Sequence, residues 1–198
     1  MSLKYAAVIL AAGCSSRLGH PKQLVCFQEE FLVNRTIRLV KSTGINDISL
    51  VVGFQKERII DVLSHQVTQI EAKQWQQGMG NSLHSGLAVQ SLKHLDGILI
   101  TTCDLYRIQA HDYQALLDCH SKNPQHYVVA SYQNTWGNPL IIPPTFLQHI
   151  HLLSGKRGAK PLITSLNGVL KKVLMENAQW DLDTPEDLVQ LRQYEKRN

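Results

Sequence analysis

Ala6-Ala7-Val8-Ile9-Leu10-Ala11-Ala12-Gly13-Cys14-Ser15-Ser16-Arg17-Leu18-Gly19-His20-Pro21-Lys22 is the stretch that decides how this chain is read. Its first six residues are continuously apolar, as expected of a strand covered on both faces. Small residues follow at once, so backbone N–H groups can approach an anion closely, and Arg17 and Lys22 add two positive charges five residues apart. The pattern is that of a phosphate-binding loop. It is not a Walker motif, because Gly19 is followed by His-Pro-Lys instead of Lys-Ser/Thr, and it is not G-x-G-x-x-G either. A glycine- and serine-rich turn with two surface cations would explain the same residues without a ligand.

Outward from this stretch, strand-length apolar runs alternate with helical spacing. Leu32, Val33, Thr36, Ile37 and Val40 predict a helix that stops at Gly44. Strands are expected over residues 48–52, 67–72, 97–102, 127–131 and 169–174, with a short one over 138–143 whose prolines favour a sheet edge. Helices are expected over 56–63, over 82–92 with Leu83, Leu87 and Leu92 inward, and over 111–120, with helical pieces near 145–152 and 159–166. An amphipathic helix through Leu188, Val189 and Leu191 closes the chain over 185–197. Alternation of this kind implies an α/β fold, a mainly parallel sheet with helices on both faces and right-handed crossovers. Ligands of such sheets bind beyond the carboxyl ends of the strands, which selects the loops to search. With neither repeat nor linker in view, residues 1–198 read as a single domain.

Composition narrows the function classes. The net charge of +4 divides evenly, with ten Lys/Arg against eight Asp/Glu in each of residues 1–104 and 105–198, so no basic arm supports a nucleic-acid role. The apolar run from Tyr5 to Ala12 is far short of a membrane span and lacks a signal peptide's flanks, which predicts a cytoplasmic protein with no membrane role. Cys14, Cys26, Cys103 and Cys119 form no C-x-x-C pair and the nine histidines no H-E-x-x-H, so a structural zinc is not expected. The four thiols read as free and buried or incidental.

Three further places carry candidate chemistry. Gly78, Gly80 and Ser82 precede a predicted helix, where bare amides and a hydroxyl would meet a ligand at the positive end of the dipole; a glycine turn with Ser82 as N-cap is the plainer account. Asp104 follows the apolar run 97–103, placing a carboxylate at the ligand end of a strand, where it would suit Mg²⁺ or simply form a turn. Thr184-Pro185-Glu186-Asp187 makes a good helix start, with Thr184 as N-cap and Asp187 completing a capping-box pattern. Capping leaves Asp183 unexplained.

L-A-A-G-x-S-x-R-x-G-x-x-K, read with Trp75-Gln76-Gln77-Gly78-Met79-Gly80-Asn81-Ser82-Leu83 and Asp181-Leu182-Asp183-Thr184-Pro185-Glu186-Asp187-Leu188, resembles the motifs of the MobA-like nucleotidyltransferases, and among them the molybdenum cofactor cytidylyltransferase branch. The likeness covers nearly the whole chain. It implies a three-layer, Rossmann-like nucleotidyltransferase fold that transfers CMP from CTP to a phosphate monoester, molybdopterin first among acceptors, with release of pyrophosphate. It implies nucleotide binding by Leu10, Ala11, Ala12, Gly13, Lys22, Gly78, Gly80 and Ser82, catalytic cations in Arg17 and Lys22, and Mg²⁺, or alternatively Mn²⁺, on Asp104 and Asp183, with Asp181 a weaker candidate. The partners implied are a nucleoside triphosphate, a small anionic acceptor, and a molybdoenzyme or its chaperone.

The chemistry asks little covalent help of the protein, because an acceptor phosphate monoester, with its second pKa near about 6, is already an oxyanion at neutral pH. Positioning and charge neutralisation are what remain to be supplied. Guanylyl relatives resemble L-A-G-G where this chain has Leu10-Ala11-Ala12-Gly13, which favours CTP over GTP. Departures cluster on the acceptor side. Asp104-Leu105-Tyr106 stands for the branch's D-Q-P, Gly137-Asn138-Pro139 for G-H-P, and Gly155-Lys156-Arg157-Gly158-Ala159-Lys160 for G-D-x-G-A-R. Two alternatives therefore stay open. One is a cytidylyltransferase acting on a sugar- or polyol-phosphate, encouraged by Pro21-Lys22-Gln23, which resembles the methylerythritol-phosphate enzymes. The other is a non-catalytic nucleotide-binding or chaperone-like relative.

Overall fold

The residues of β1 (Tyr5–Ala11) divide between two cores: Ala7, Ile9 and Ala11 enter one, and Ala6, Val8 and Leu10 enter the other together with Ala12. A two-residue period with both faces covered is why the strand carries no charged side chain. The structure, a computed structural model, describes residues 3–90 and 93–197. Along the chain follow β2 (Cys26–Phe27), β3 (Glu30–Phe31), α1 (Leu32–Lys41), β4 (Asp47–Val52), α2 (Lys56–Asp61), β5 (Thr68–Glu71), α3 (Met79–Gln90), β6 (Gly97–Thr102), α4 (Ala110–Ser121), β7 (Tyr127–Tyr132), β8 (Thr135–Ile142), α5 (Ala159–Ser165), β9 (Leu170–Leu174) and α6 (Pro185–Glu195).

Seven strands form one sheet in the order β5-β4-β1-β6-β8-β7-β9, while β2 and β3 pair apart from it. β1 lies between β4 and β6, with Ile9 opposite Leu50 on one side and Thr101 on the other. Only β8 runs against its neighbours, so the sheet is mainly parallel, as the sequence predicts. Helices α1, α2 and α4 pack on one face through residues such as Ile37, Ile59 and Leu116, and α3 and α5 on the other through Leu83, Leu87 and Ile163. Three layers result. A third apolar cluster joins Leu18, Phe27, Tyr106, Leu182 and Leu191, fastening α6 to the segment after β1. Among the described residues no helix is long and apolar enough to cross a membrane.

Three expectations are corrected. The short strand over 138–143 is not at an edge: β8 begins at Thr135 and lies between β6 and β7. Asn138 and Pro139 fall in a register break between the pairs Val129–Leu140 and Ala130–Gly137, where the ladder does not need the N–H that proline lacks. The helix expected from Ser82 starts at Met79, which places Ser82 inside its first turn and removes the N-cap account; Leu92 lies outside the described residues. The helical piece expected near 145–152 is present as 3₁₀ turns over residues 144–152. In α6, Leu191 is buried but Val189 is 56% exposed, so the apolar stripe is narrower than predicted.

Candidate active site

The loop after β1 is held by its own backbone and by one buried side chain. Ser15, at a φ of +51°, accepts N–H bonds from Leu18 and Gly19 through its carbonyl, and its Oγ accepts the Lys22 N–H at 3.2 Å. Beneath it the buried Gln23 amide donates to the carbonyls of Ala11 and Gly13 at 2.8 and 3.2 Å. This bracing fixes where Lys22 begins. Its Nζ then donates to Asp104 Oδ2 at 2.5 Å and to Asp183 Oδ1 at 2.8 Å.

Each carboxylate is placed by a regular element. Asp104 follows β6, and its carbonyl accepts the N–H of Leu182, which ties the segment before α6 to the end of the sheet. The Thr184–Asp187 capping box forms as predicted, and the Asp187 carboxylate also accepts the Asp183 N–H. Capping therefore occupies residues 184–187 and leaves the Asp183 side chain free to accept from Lys22 and from Arg17 Nη2, the latter at 2.6 Å. The result is a compact cluster of two cations and two anions.

Its electrostatics follow from this geometry. Burial works against the Lys22 ammonium, but attraction and hydrogen bonding to Asp104, followed by those to Asp183, outweigh it and hold its pKa above the ordinary lysine range. Asp183 moves the other way: burial raises it, and Lys22 with Arg17 carries it below the usual carboxylate value. Half-buried Asp181 is raised by burial and by the neighbouring Asp104 and Asp183. Asp104 Oδ1 is buried without a hydrogen-bond partner, so one hard oxygen of the cluster has a free lone pair, which fits a divalent cation. Among the described residues no group of three or more His, Cys, Asp or Glu could hold an ion, so phosphate oxygens would have to complete the coordination of the Asp104–Asp183 pair.

Beside the cluster opens a cleft of about 280 Å³. Of the residues predicted to act catalytically or to bind nucleotide or metal, Leu10, Ala12, Gly13, Lys22, Gly78, Ser82 and Asp104 line it. Ala11, Arg17, Gly80 and Asp183 do not. Ala11 faces the opposite core and contributes only its carbonyl to Gln23. Arg17, 69% exposed at its side chain, reaches the cluster through Asp183. The Gly80 N–H is already taken by the Gly155 carbonyl at 2.8 Å, and Gly155 N–H in turn donates to Asn81 Oδ1 at 2.8 Å.

Gly78 and Gly80 are bare for a reason the sequence reading missed. A Cβ on Gly78 would stand 2.5 Å from the Gly155 carbonyl oxygen, and one on Gly80 would stand 2.6 Å from that of Ser154. Both glycines make room for the 154–158 loop, and Gly78 also has a φ of +123°. Sequence reasoning further missed Cys14, Gln23, Trp75, Gln76, Met79 and Thr102 as lining residues. Trp75 forms an aromatic wall against Phe54, their ring centroids 5.5 Å apart, and heads the W-x-x-G-M segment, so the motif held the signal although no chemistry had been assigned to it.

Comparison with known proteins identifies the fold and the family. Purine catabolism protein PucB of Bacillus subtilis (strain 168) is 22% identical over 196 residues, 93% of this chain and 94% of that protein. The Bifunctional protein GlmU of Syntrophomonas wolfei is 32% identical over 120 residues, 60% of this chain but 26% of GlmU, so the chain spans about a quarter of that relative. Among solved structures, Rv0371c from Mycobacterium tuberculosis H37Rv superposes with a TM-score of 0.82 at 21% identity, covering 98% of this chain and 100% of that one. Its complex with manganese superposes at 0.76, again at 21% identity, covering 95% and 97%. Residues 7–169, from the first strand to the end of the segment that follows α5, match the model of one family, and the chain belongs to it: the MobA-like NTP transferase domain family.

Proposed function

We propose that this nucleotidyltransferase moves CMP from CTP to a phosphate monoester, with molybdopterin as the lead acceptor, releases pyrophosphate, and uses Mg²⁺ or Mn²⁺. The observation that carries the reading is the Lys22 ammonium, 2.5 Å from Asp104 and 2.8 Å from Asp183, at the border of a cleft that also contains Ala12 and Gly78. In this reading Leu10, Ala12, Gly13, Gly78 and Ser82 receive the nucleotide. Ala11 and Gln23 hold the loop in shape. Lys22 and Arg17 neutralise charge that grows on the α-phosphate and on the leaving pyrophosphate, where a fixed cation lowers the barrier most.

Asp104 and Asp183 would hold the metal, which when bound neutralises and orients phosphate oxygens. The manganese complex of Rv0371c supports divalent metal use. The acceptor phosphate attacks in line as an oxyanion, so no side chain has to remove a proton. A cytoplasmic location and a molybdoenzyme or its chaperone as protein partner belong to the same proposal. One observation favours the second reading, a sugar- or polyol-phosphate acceptor. The adjoining cavity shares Leu10 and Met79 with the cleft, is lined mainly by apolar side chains with Asn138 and Lys160 as its polar ones, and has a volume of only about 170 Å³, which suits a compact acceptor better than a large one.

Pyrophosphate release with each nucleoside triphosphate and each acceptor class tests both readings. CTP with molybdopterin is the expected pair; a GTP preference would overturn the cytidylyl assignment, and release only with a sugar- or polyol-phosphate would replace the acceptor. Ala12→Gly should relax the CTP-over-GTP ratio in kcat/KM without inverting it, since one methyl in a pocket is worth about 10–200-fold at most. An unmoved ratio would remove Ala12 from base selection.

A further inference from the structure

The cations of the cluster at the mouth of the cleft are paired within it without any ligand. Lys22 and Arg17 balance Asp104 and Asp183, and Asp181 adds a third carboxylate within electrostatic range of the pair. The Lys22 and Asp104 side chains are only 18% and 11% exposed, so solvent screens their interaction poorly. A divalent cation arriving alone would meet the ammonium already seated between the two carboxylates. Triphosphate arriving alone would find both cations engaged and two carboxylates facing its oxygens. When both arrive, the phosphates can take Lys22 and Arg17 while the carboxylates turn to the metal, and every charge keeps a partner.

We infer that Lys22 occupies the metal's seat in the free protein and exchanges it for the phosphates on ligand entry, so that metal and nucleotide bind as a coupled pair and each alone binds weakly. The inference rests on the metal and nucleotide roles proposed above. Asp104 Oδ1, buried and without a hydrogen-bond partner, is the ligand atom that no protein group has to vacate, whereas Asp104 Oδ2 and both Asp183 oxygens must first be released. Coupling is reciprocal by thermodynamic necessity: whatever factor the nucleotide adds to metal affinity, the metal adds to nucleotide affinity.

Mn²⁺ binding followed by the electron paramagnetic resonance of the free ion tests this without any turnover. In the absence of nucleotide, Lys22→Met should bind Mn²⁺ more tightly than wild type, by a factor within the roughly 5–150-fold range of such couplings. Adding Asp104→Asn to that variant should abolish the gain. CTP should tighten Mn²⁺ binding in wild type and do so much less in Lys22→Met. Lys22→Gln, which keeps a hydrogen-bonding side chain but no charge, serves if circular dichroism shows Lys22→Met to be unfolded. An uncharged variant that binds Mn²⁺ no better than wild type would overturn the exchange. The nucleotide-free measurement keeps the two ideas apart: a clear gain in a protein that binds no nucleoside triphosphate would uphold Lys22 as the occupant of the metal's seat and refute the nucleotide role on which the coupling rests.

Discussion

Lys22 is the residue on which the most chemistry converges, and its removal separates binding from catalysis. Lys22→Ala takes a cation from the phosphates but also frees Asp104 and Asp183 for the metal, so the two effects on nucleotide affinity oppose each other. Nothing opposes the loss in the transition state, where charge on the α-phosphate is greatest. We expect kcat to fall about 10²–10³-fold, as on removal of one oxyanion donor, with a much smaller change in nucleotide affinity. Steady-state kinetics beside direct nucleotide binding would check this, and an unchanged kcat with only a raised KM would refute the role. Lys22 and Asp104 were legible one at a time, because each follows an apolar strand at its ligand end. Their contact, across 82 positions, was not: no local spacing records which strand ends meet. Gln23 was missed because a buried amide bracing a loop leaves no periodic or charged trace.

At the scale of elements, the docking of the 154–158 loop on the start of α3 decides what the glycines there are for. Gly80 has no left-handed φ, so the cost of a side chain at that position is steric: its Cβ would lie 2.6 and 2.7 Å from the carbonyl oxygens of Ser154 and Arg157. Backbone cannot yield as a side-chain tip does. Gly80→Ala should therefore destabilise the protein by about 1–3 kcal/mol, the usual cost of overpacking, and speed hydrogen exchange in residues 154–158. Urea unfolding with residue-resolved exchange would check both, and protection of the loop as in wild type would show that it does not depend on the bare helix start. The same contact explains a limit of the sequence reading. Small residues before a helix fit anion binding and close packing equally well, and only the partner loop, some 75 residues on, distinguishes them. β8 hid its position similarly, because a proline at a register break looks from sequence like a proline at an edge.

At the scale of the whole molecule, the ends of the sheet carry different burdens. Strand order was beyond the sequence, since the alternation of strands and helices sets the layers but not which strands adjoin, yet the rule that ligands sit beyond the carboxyl ends selected the loops that line the cleft. Near the opposite ends lies His120, fully buried on α4, with Nδ1 3.0 Å from the Tyr5 hydroxyl and Nε2 without a partner. Burial lowers its pKa below the ordinary 6.5; the Asp96 charge opposes that shift and His126 reinforces it. Because the folded value is the lower one, the unfolded chain binds more protons between the two values, and stability must fall as pH drops through 6.5 towards the folded value. Above 6.5 the ring is neutral in both states and contributes no slope. His120→Gln keeps a polar partner for Tyr5 but cannot titrate, so its melting temperature should decline less between pH 7 and pH 5 than that of wild type. The comparison cancels the other histidines and the carboxylates common to both proteins. Parallel melting curves across that window would show that another group governs acid stability. A flatter curve for the variant, with unchanged kcat at neutral pH, would show that the buried imidazole sets part of the acid limit of the fold without entering the chemistry at the other end of the sheet.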